Sequence, residues 1–176
     1  MKKLVFPALI AVTLLASAFT TFTAVNWKIA DGYAIKFAGT DAEGSFEKMT
    51  GDLTFDESNL TTSKFNVSLD VSSINTGNGM KNKHAKSDKW FDAKQFSSIN
   101  FMSEKFSKTA SGYTVEGTLE LHGVKKAVSI PFTFSNNTFK GSFSVNRMDY
   151  GVGTMQGMSK KVSNEIKLDI SVPVTK

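Results

Sequence analysis

Histidine, serine and aspartate fall at positions 84, 87 and 88. On a helix that spacing sets His84 and Asp88 one turn apart. An aspartate so placed can orient an imidazole, and an oriented imidazole can serve as a general base. Ser87 would be the nucleophile within its reach. The rest of a serine hydrolase is absent from the pattern: no nucleophile elbow surrounds Ser87, and no neighbouring run would frame an oxyanion hole. Metal chemistry is equally thin. A zinc site takes three or four converging ligands, whereas His84 and His122 are the only imidazoles and the carboxylates are scattered. With no cysteine in the chain, disulfides, thiolate catalysis and cysteine-ligated metals are excluded. The expectation is no catalytic residue, no metal and no cofactor, with a His84/Asp88 acid–base pair kept as the alternative.

The histidine belongs to a stretch unlike its surroundings, "KNKHAKSDKWFDAKQF" at 81–96, which holds five lysines and a Trp-Phe pair. The preceding "TGNG" reads as a turn, with Asn78 as the N-cap of a short helix. Met80, His84, Ser87 and Phe91 then recur at helical spacing as one stripe. Lys81, Lys83, Lys86 and Lys89 are spread around the rest of that surface and read first as a solvated face. Their functional reading is attraction to an anionic membrane surface or headgroup. Nucleic acid is excluded as a partner, since arginine, the preferred bidentate reader of phosphates and bases, occurs once, as Arg147.

What must position this stretch is a set of strands. Period-two alternation dominates the chain from Trp27 onward. In "FNVSLDV", Phe65, Val67, Leu69 and Val71 point one way. "YTVEGTLELHG" sets Tyr113, Val115, Leu119 and Leu121 opposite Thr114, Glu116, Thr118 and Glu120. "VSIPFTF", "FKGSFSVNR" and "IKLDISVPV" repeat the pattern, and further strands are predicted at Trp27–Ala30, Tyr33–Gly39, Ser45–Phe55 and Ser98–Lys105. That makes about eight strands. Short links such as 123–126 and 135–138 make consecutive strands antiparallel neighbours. Such a set closes into a barrel or folds into a sandwich. Periodicity alone leaves open whether its interior is packed or hollow.

The N-terminus has a different character. Met1-Lys2-Lys3 is followed by the apolar run "LVFPALIAVTLLASAF", and Ala16-Ser17-Ala18 supplies a small-residue cleavage site. Residues 1–18 are expected to be an export signal, with cleavage as late as residue 24 also compatible, and a periplasmic or secreted location follows. Residues 19–176 are expected to form one domain. Removing residues 1–18 lowers the formal net charge from +5 to +3, which is only mildly basic.

Five segments, in order along nearly the whole remaining chain, resemble the YceI-like family of exported, lipocalin-like polyisoprenoid-binding proteins. They are "NWKIADGYAIKF", "GSFEKMTGDLTFD", "VSSINTGNGMKNKHAKSDKWFDAKQFSSINFMS", "VEGTLELHGVKKAVSIPF" and "NRMDYGVG". The third is the strongest: it carries the Ser-Ile-x-Thr turn, the His-x-x-Ser helix, an aromatic pair followed by Asp, and the Phe-x-x-Ile-x-Phe strand. The resemblance implies an all-β fold: an eight-stranded antiparallel, lipocalin-like extended barrel with a short helix near one end. It further implies an elongated cavity for a long-chain isoprenoid or other amphiphilic lipid, and no catalytic group. Candidate wall positions are Phe37, Leu53, Phe65, Val67, Leu69, Phe101, Val115, Leu119, Phe132, Phe143 and Val145. Met80, His84, Trp90, Phe91, Arg147 and Tyr150 are candidates for the mouth or polar end. The chain departs from the family pattern in three places: Gly32-Tyr33 replaces a His-Ser pair, "AGTDAEG" lacks a second histidine, and Trp90 is wider than the residue usual there.

The expected function is binding, transport or sequestration of a lipid such as a polyisoprenoid or isoprenoid quinone. A membrane surface is a further partner of the lysines, and the oligomeric state is open between monomer and homodimer. The alternatives are an enzyme acting on a lipid-like substrate through His84/Asp88, and a stress-response interaction module with a packed lumen.

Overall fold

A computed structural model describes residues 25–155 and 157–176. The export segment 1–18, and the later cleavage point, lie outside the described residues. The strands are β1 (Asn26–Ile29), β2 (Ala34–Gly39), β3 (Ala42–Phe46), β4 (Met49–Thr54), β5 (Lys64–Asp70) and β6 (Ile74–Asn75). One helix follows, α1 (Gly79–Ala85), and then β7 (Ser98–Thr109), β8 (Gly112–Leu121), β9 (Val124–Ser135), β10 (Thr138–Asn146) and β11 (Glu165–Thr175). All pairings are antiparallel, in the order β1-β4-β5-β7-β8-β9-β10-β11, and β11 pairs back to β1 to close a barrel of eight strands.

The remaining strands, β2, β3 and β6, extend three of these eight upward. β2 continues β1 along the same neighbour: β11 pairs with β1 at Val174↔Ile29 and with β2 from Ser171↔Ala34 to Lys167↔Ala38. In the same way β3 leads into β4, and β6 follows β5. The single strand expected over Ser45–Phe55 is therefore two strands. It breaks at Glu47-Lys48, where the backbone hydrogen bonds leave the ladder.

Side chains stitch the three breaks together. The Tyr33 hydroxyl, just past the first, donates to Glu47 O at 2.8 Å and accepts from Met49 N at 3.0 Å. Ser73, in the third, accepts from Glu47 N and Lys48 N, both at 3.1 Å, and donates to Asp70 O at 2.6 Å. These bonds satisfy backbone groups that the interrupted ladder would leave orphaned in a partly buried layer. Ser73 itself is 9% exposed.

The turns follow their sequence. Asn136-Asn137 links β9 to β10 with both residues at positive φ (49° and 52°), as a two-residue hairpin loop requires. The turn expected over 123–126 sits at His122-Gly123 (φ 52° and 74°), so β9 begins earlier than the expected link allows. Between β9 and β10 the ladder ends at Phe132↔Gly141. The next β9 residue is Pro131, which has no N–H to give. Beyond it β10 pairs only with β11, up to Asn146↔Glu165.

The interior is divided. At the lower end Phe55, 1% exposed, lies 5.1–6.2 Å, ring centre to ring centre, from Phe65, Phe106, Tyr113, Phe132, Phe134 and Phe139. Trp27 closes the floor, its indole N–H donating to Phe55 O at 3.0 Å. Most of these ring pairs are edge-on or tilted, the arrangement aromatic quadrupoles favour. The upper end is different: Phe37, Phe143, Val145, Val67 and Leu69 point inward yet are only half-buried.

Two expectations follow. Phe55→Ala should lower stability by about 3–5 kcal/mol in urea titration, whereas Phe143→Ala should cost less than half of that, since its ring borders empty space. Asp70 caps the turn at the third break, its Oδ1 accepting from Ser72 N at 2.8 Å. Hydrogen bonds from Ser72 hold its carboxyl below the ordinary value, outweighing desolvation, with Lys48 assisting. A depressed carboxyl stabilises the fold above its unfolded pKa and loses that contribution as pH falls. Asp70→Ala should therefore be less stable than the parent at neutral pH, and the difference should shrink as pH drops below about 4 in pH-resolved thermal melts.

Candidate functional site

Above the aromatic floor lies a cavity of about 520 Å³, within the roughly 300–1,000 Å³ range usual for small-molecule sites. Its walls are predominantly apolar. Leu53, Phe65, Phe132 and Phe139 form its lower end, where they also belong to the aromatic floor or pack on it. Phe37 (β2), Val67 and Leu69 (β5), Phe101 (β7), Val115 and Leu119 (β8), and Phe143 and Val145 (β10) form the sides. Lys140 of β10 borders it low on the wall; the other charged and polar groups lie toward the mouth: Asp41 and Glu43 at the β2–β3 corner, Thr76, Lys81 and His84 around α1, and Arg147 and Lys161.

All eleven wall positions singled out in the sequence border this cavity, and so do His84, Trp90, Phe91 and Arg147. Met80 and Tyr150 do not border it. α1 is only seven residues long, so the stripe from Met80 to Phe91 never forms. Asn78 does cap it, accepting from Lys81 N at 3.0 Å. Asn82 fixes its rotation by accepting from Thr76 N and Thr76 Oγ1 at 2.8 and 2.7 Å. That turns Lys81, His84 and Ala85 toward the cavity and leaves Met80 67% exposed. Tyr150 is 3% exposed and packs in the core away from the cavity. Its turn is drawn to the β8–β9 corner by His122 Nδ1, 3.2 Å from Tyr150 O, and by the Lys126–Asp149 pair at 3.7 Å. Burial raises its phenol pKa, with Asp149 adding to the effect.

Two excursions from the barrel cap the cavity. The first is α1 and the turns after it, where Trp90 N and Asp92 N bond back to Ser87 O at 3.0 and 2.8 Å. The second is the 147–164 connection between β10 and β11. Arg147, 6% exposed, organises it. Its Nη1 donates to Val152 O and Gly153 O (2.8 and 2.7 Å), its Nε to Ser163 O (3.0 Å), and its Nη2 to Val162 O and Asn164 Oδ1 (both 3.1 Å). Burial lowers its pKa, but a guanidinium stays charged in proteins. The same group lies 5.5 Å from the Trp90 ring centre, joining the two excursions by a cation–π contact. Gly153 makes that approach feasible. It sits at φ +64°, and a Cβ there would come within 2.5 Å of the Trp90 ring.

Residues 18–174 match the sequence profile of the YceI-like domain. The chain belongs to the YceI-like family. It is 31% identical to a UPF0312 protein of Yersinia enterocolitica over 139 residues, covering 73% of this chain and 71% of that one. Its fold is similar to that of Burkholderia cenocepacia BcnA, at TM-score 0.75 and 26% identity over 82% of this chain and 96% of that one. It is also similar to a polyisoprenoid-binding domain from Saccharophagus degradans implicated in plant cell wall breakdown, at TM-score 0.62 and 16% identity, covering 85% of this chain and 97% of that one.

In this YceI-like barrel the residues that suggested catalysis are not assembled for it. No hydrogen bond or ion pair links His84 to Asp88, and Ser87 Oγ donates to the His84 carbonyl at 2.7 Å. The sequence reading passed over Ile35, Phe46, Ile99, Leu121, Ile130, Phe139, Ile166, Leu168 and Ile170, all of which border the cavity. All but Phe46 are in phase with their strand's alternation, so the period-two signal that found Phe37, Phe101 and Phe143 also contained them. Phe46 is out of phase with Leu53 in the strand expected over Ser45–Phe55 and faces the cavity because that strand breaks at Glu47-Lys48. Nothing local marked Val152 and Val162, which reach the cavity from the second excursion.

Arg147→Lys should lower stability by at least about 2 kcal/mol in thermal unfolding, since an ammonium cannot serve five spread acceptors and leaves buried carbonyls unpaired. The same change should alter Trp90 fluorescence, measured in a Trp27→Phe background.

Proposed function

We propose that this YceI-like barrel binds the chain of a long apolar lipid, tail down in the cavity, and carries or sequesters it outside the cytoplasm. The observation that supports this most strongly is the division of the interior. A lumen filled and sealed below by an aromatic cluster is left empty above, with apolar residues half-exposed to the empty space. Exposing Phe, Leu, Ile and Val side chains to water is unfavourable by about 25 cal/mol per Å², and an apolar guest removes that exposure. Apart from Lys140, the charged groups that border the cavity gather toward the mouth, so an amphiphile would leave its head there. The likeness to a polyisoprenoid-binding domain supports an isoprenoid as the class of guest. The export signal read in residues 1–18 supports a periplasmic or secreted carrier. Binding rather than catalysis is the reading favoured by Ser87 and His84, whose side chains form no relay.

Affinity should then track chain length. Each added methylene that enters the cavity contributes about 0.8 kcal/mol, or roughly fourfold in Kd. Titrating a homologous series of isoprenoid alcohols should give a steady rise and then a plateau where the chain outgrows the floor at Phe65 and Phe132. Val67→Trp, which narrows the side wall, should bring the plateau to shorter chains. Organic extraction and mass spectrometry of the purified protein should yield an apolar lipid near one per chain. Affinity indifferent to chain length, with no lipid in the extract, would remove the proposal.

A further inference from the structure

We infer that the open end of the barrel is a docking surface for an anionic lipid bilayer, on which the protein collects and releases its guest; this rests on the lipid-binding reading above. Three independent features coincide at that end. The first is charge. The segments that topology brings to the mouth (40–43, 76–97, 120–126 and 147–165) hold ten basic and seven acidic residues, whereas the rest of residues 25–176 holds nine of each. The entire positive surplus of the described barrel thus lies at one end. Within it Arg147 is buried, and Lys125 and Lys126 pair with Glu120 and Asp149 at 3.8 and 3.7 Å. The surplus outside these contacts is on the first excursion, which carries five lysines and two aspartates. Among the described residues none of Lys81, Lys83, Lys86, Lys89 or Lys94 is in an ion pair.

The second feature is apolar. Four large hydrophobic side chains stand out on the surface, and three of them are at this end: Met80 at 67%, Met148 at 39% and Met155 at 37% exposed. Methionine is flexible and apolar, suited to settling among headgroups and upper acyl chains. The third is the cavity mouth itself, whose rim is built from the same two excursions together with the β2–β3 corner, which brings Asp41 and Glu43. A guest crossing free water would lose about 0.8 kcal/mol for each methylene exposed, so transfer by contact with a bilayer avoids that barrier. Lysines near an anionic surface contribute about 1 kcal/mol each. A nucleic acid or an acidic protein is less well matched: no arginine is exposed, and the lysines ring a short helix without lining a groove.

Flotation with vesicles of phosphatidylcholine, with and without phosphatidylglycerol, tests this. The protein should float with the anionic vesicles, lose that association as salt is raised, and stay behind with neutral ones. Lys83→Glu/Lys89→Glu should weaken the partition more than tenfold, and Met80→Ser/Met148→Ser should weaken it at fixed charge. None of these four side chains borders the cavity, so uptake of an added isoprenoid from detergent micelles should be unchanged in both variants. Equal flotation with neutral vesicles, no flotation with anionic ones, or full retention of the Lys83→Glu/Lys89→Glu variant on them would overturn the inference. So would retention on a heparin column with no flotation. Failure of all forms to take up isoprenoid from micelles would instead remove the cavity reading, whatever the vesicles show.

Discussion

The upper barrel rests on three neighbouring strands that break at one level and are held together there by side chains. Tyr33 and Ser73 bond the backbone at the breaks, through Glu47, Lys48 and Met49. Strand pairing resumes above them in β2, β3 and β6. The cavity spans this level, from Leu53 and Phe65 below it to Phe37 and Phe46 above. β6 is only two residues long, so the wall beyond it has no strand between β6 and β7. The chain fills that place with α1 and the turns to Phe96. The helix near the mouth is in this sense a consequence of the interrupted wall.

The two ends divide stability and function between them. Around Phe55 the rings interlock, and the β1–β11 pairing closes the barrel beside them. Hydrophobic burial there is nearly complete and holds the eight strands in register. The upper end can then leave inward phenylalanines half-buried without the barrel collapsing onto them. Its excursions are secured by polar contacts. Among the described residues Arg147 satisfies five acceptors in one connection and presents its face to Trp90 in the other. A buried guanidinium so bonded makes a stiff brace, because moving it would strand several carbonyls at once.

Much of this was legible from residue order. Alternation located most strands and the apolar side of β5, β7, β8 and β10, because the side-chain period of a strand is fixed at two; that this side faces inward was decided by the closed barrel. Asn78 signalled its helix start through its capping chemistry. Other features were not legible. Glu47-Lys48 looks like the middle of a strand, since only partners distant in sequence decide that its ladder is interrupted. Met80 had the spacing of an inward residue, but the Thr76–Asn82 bonds set the helix rotation. Tyr150 lay in a recognisable motif whose turn is pulled to the far corner by His122 and Lys126.

The sequence by itself determined an antiparallel set of about eight strands, the apolar face of each, the absence of thiol chemistry, and a cationic excursion before the strand at 98. These rest on local periodicity and composition, which need no knowledge of distant partners; that the set closes into a barrel came from the family resemblance. Tertiary structure alone decided that the lower lumen is packed and the upper lumen hollow. It also decided that Phe55 is a floor and not a wall, and that Trp90 meets Arg147 over a bare Gly153. Each of those depends on side chains brought together from strands far apart in sequence, whose volumes and angles no single strand's pattern contains.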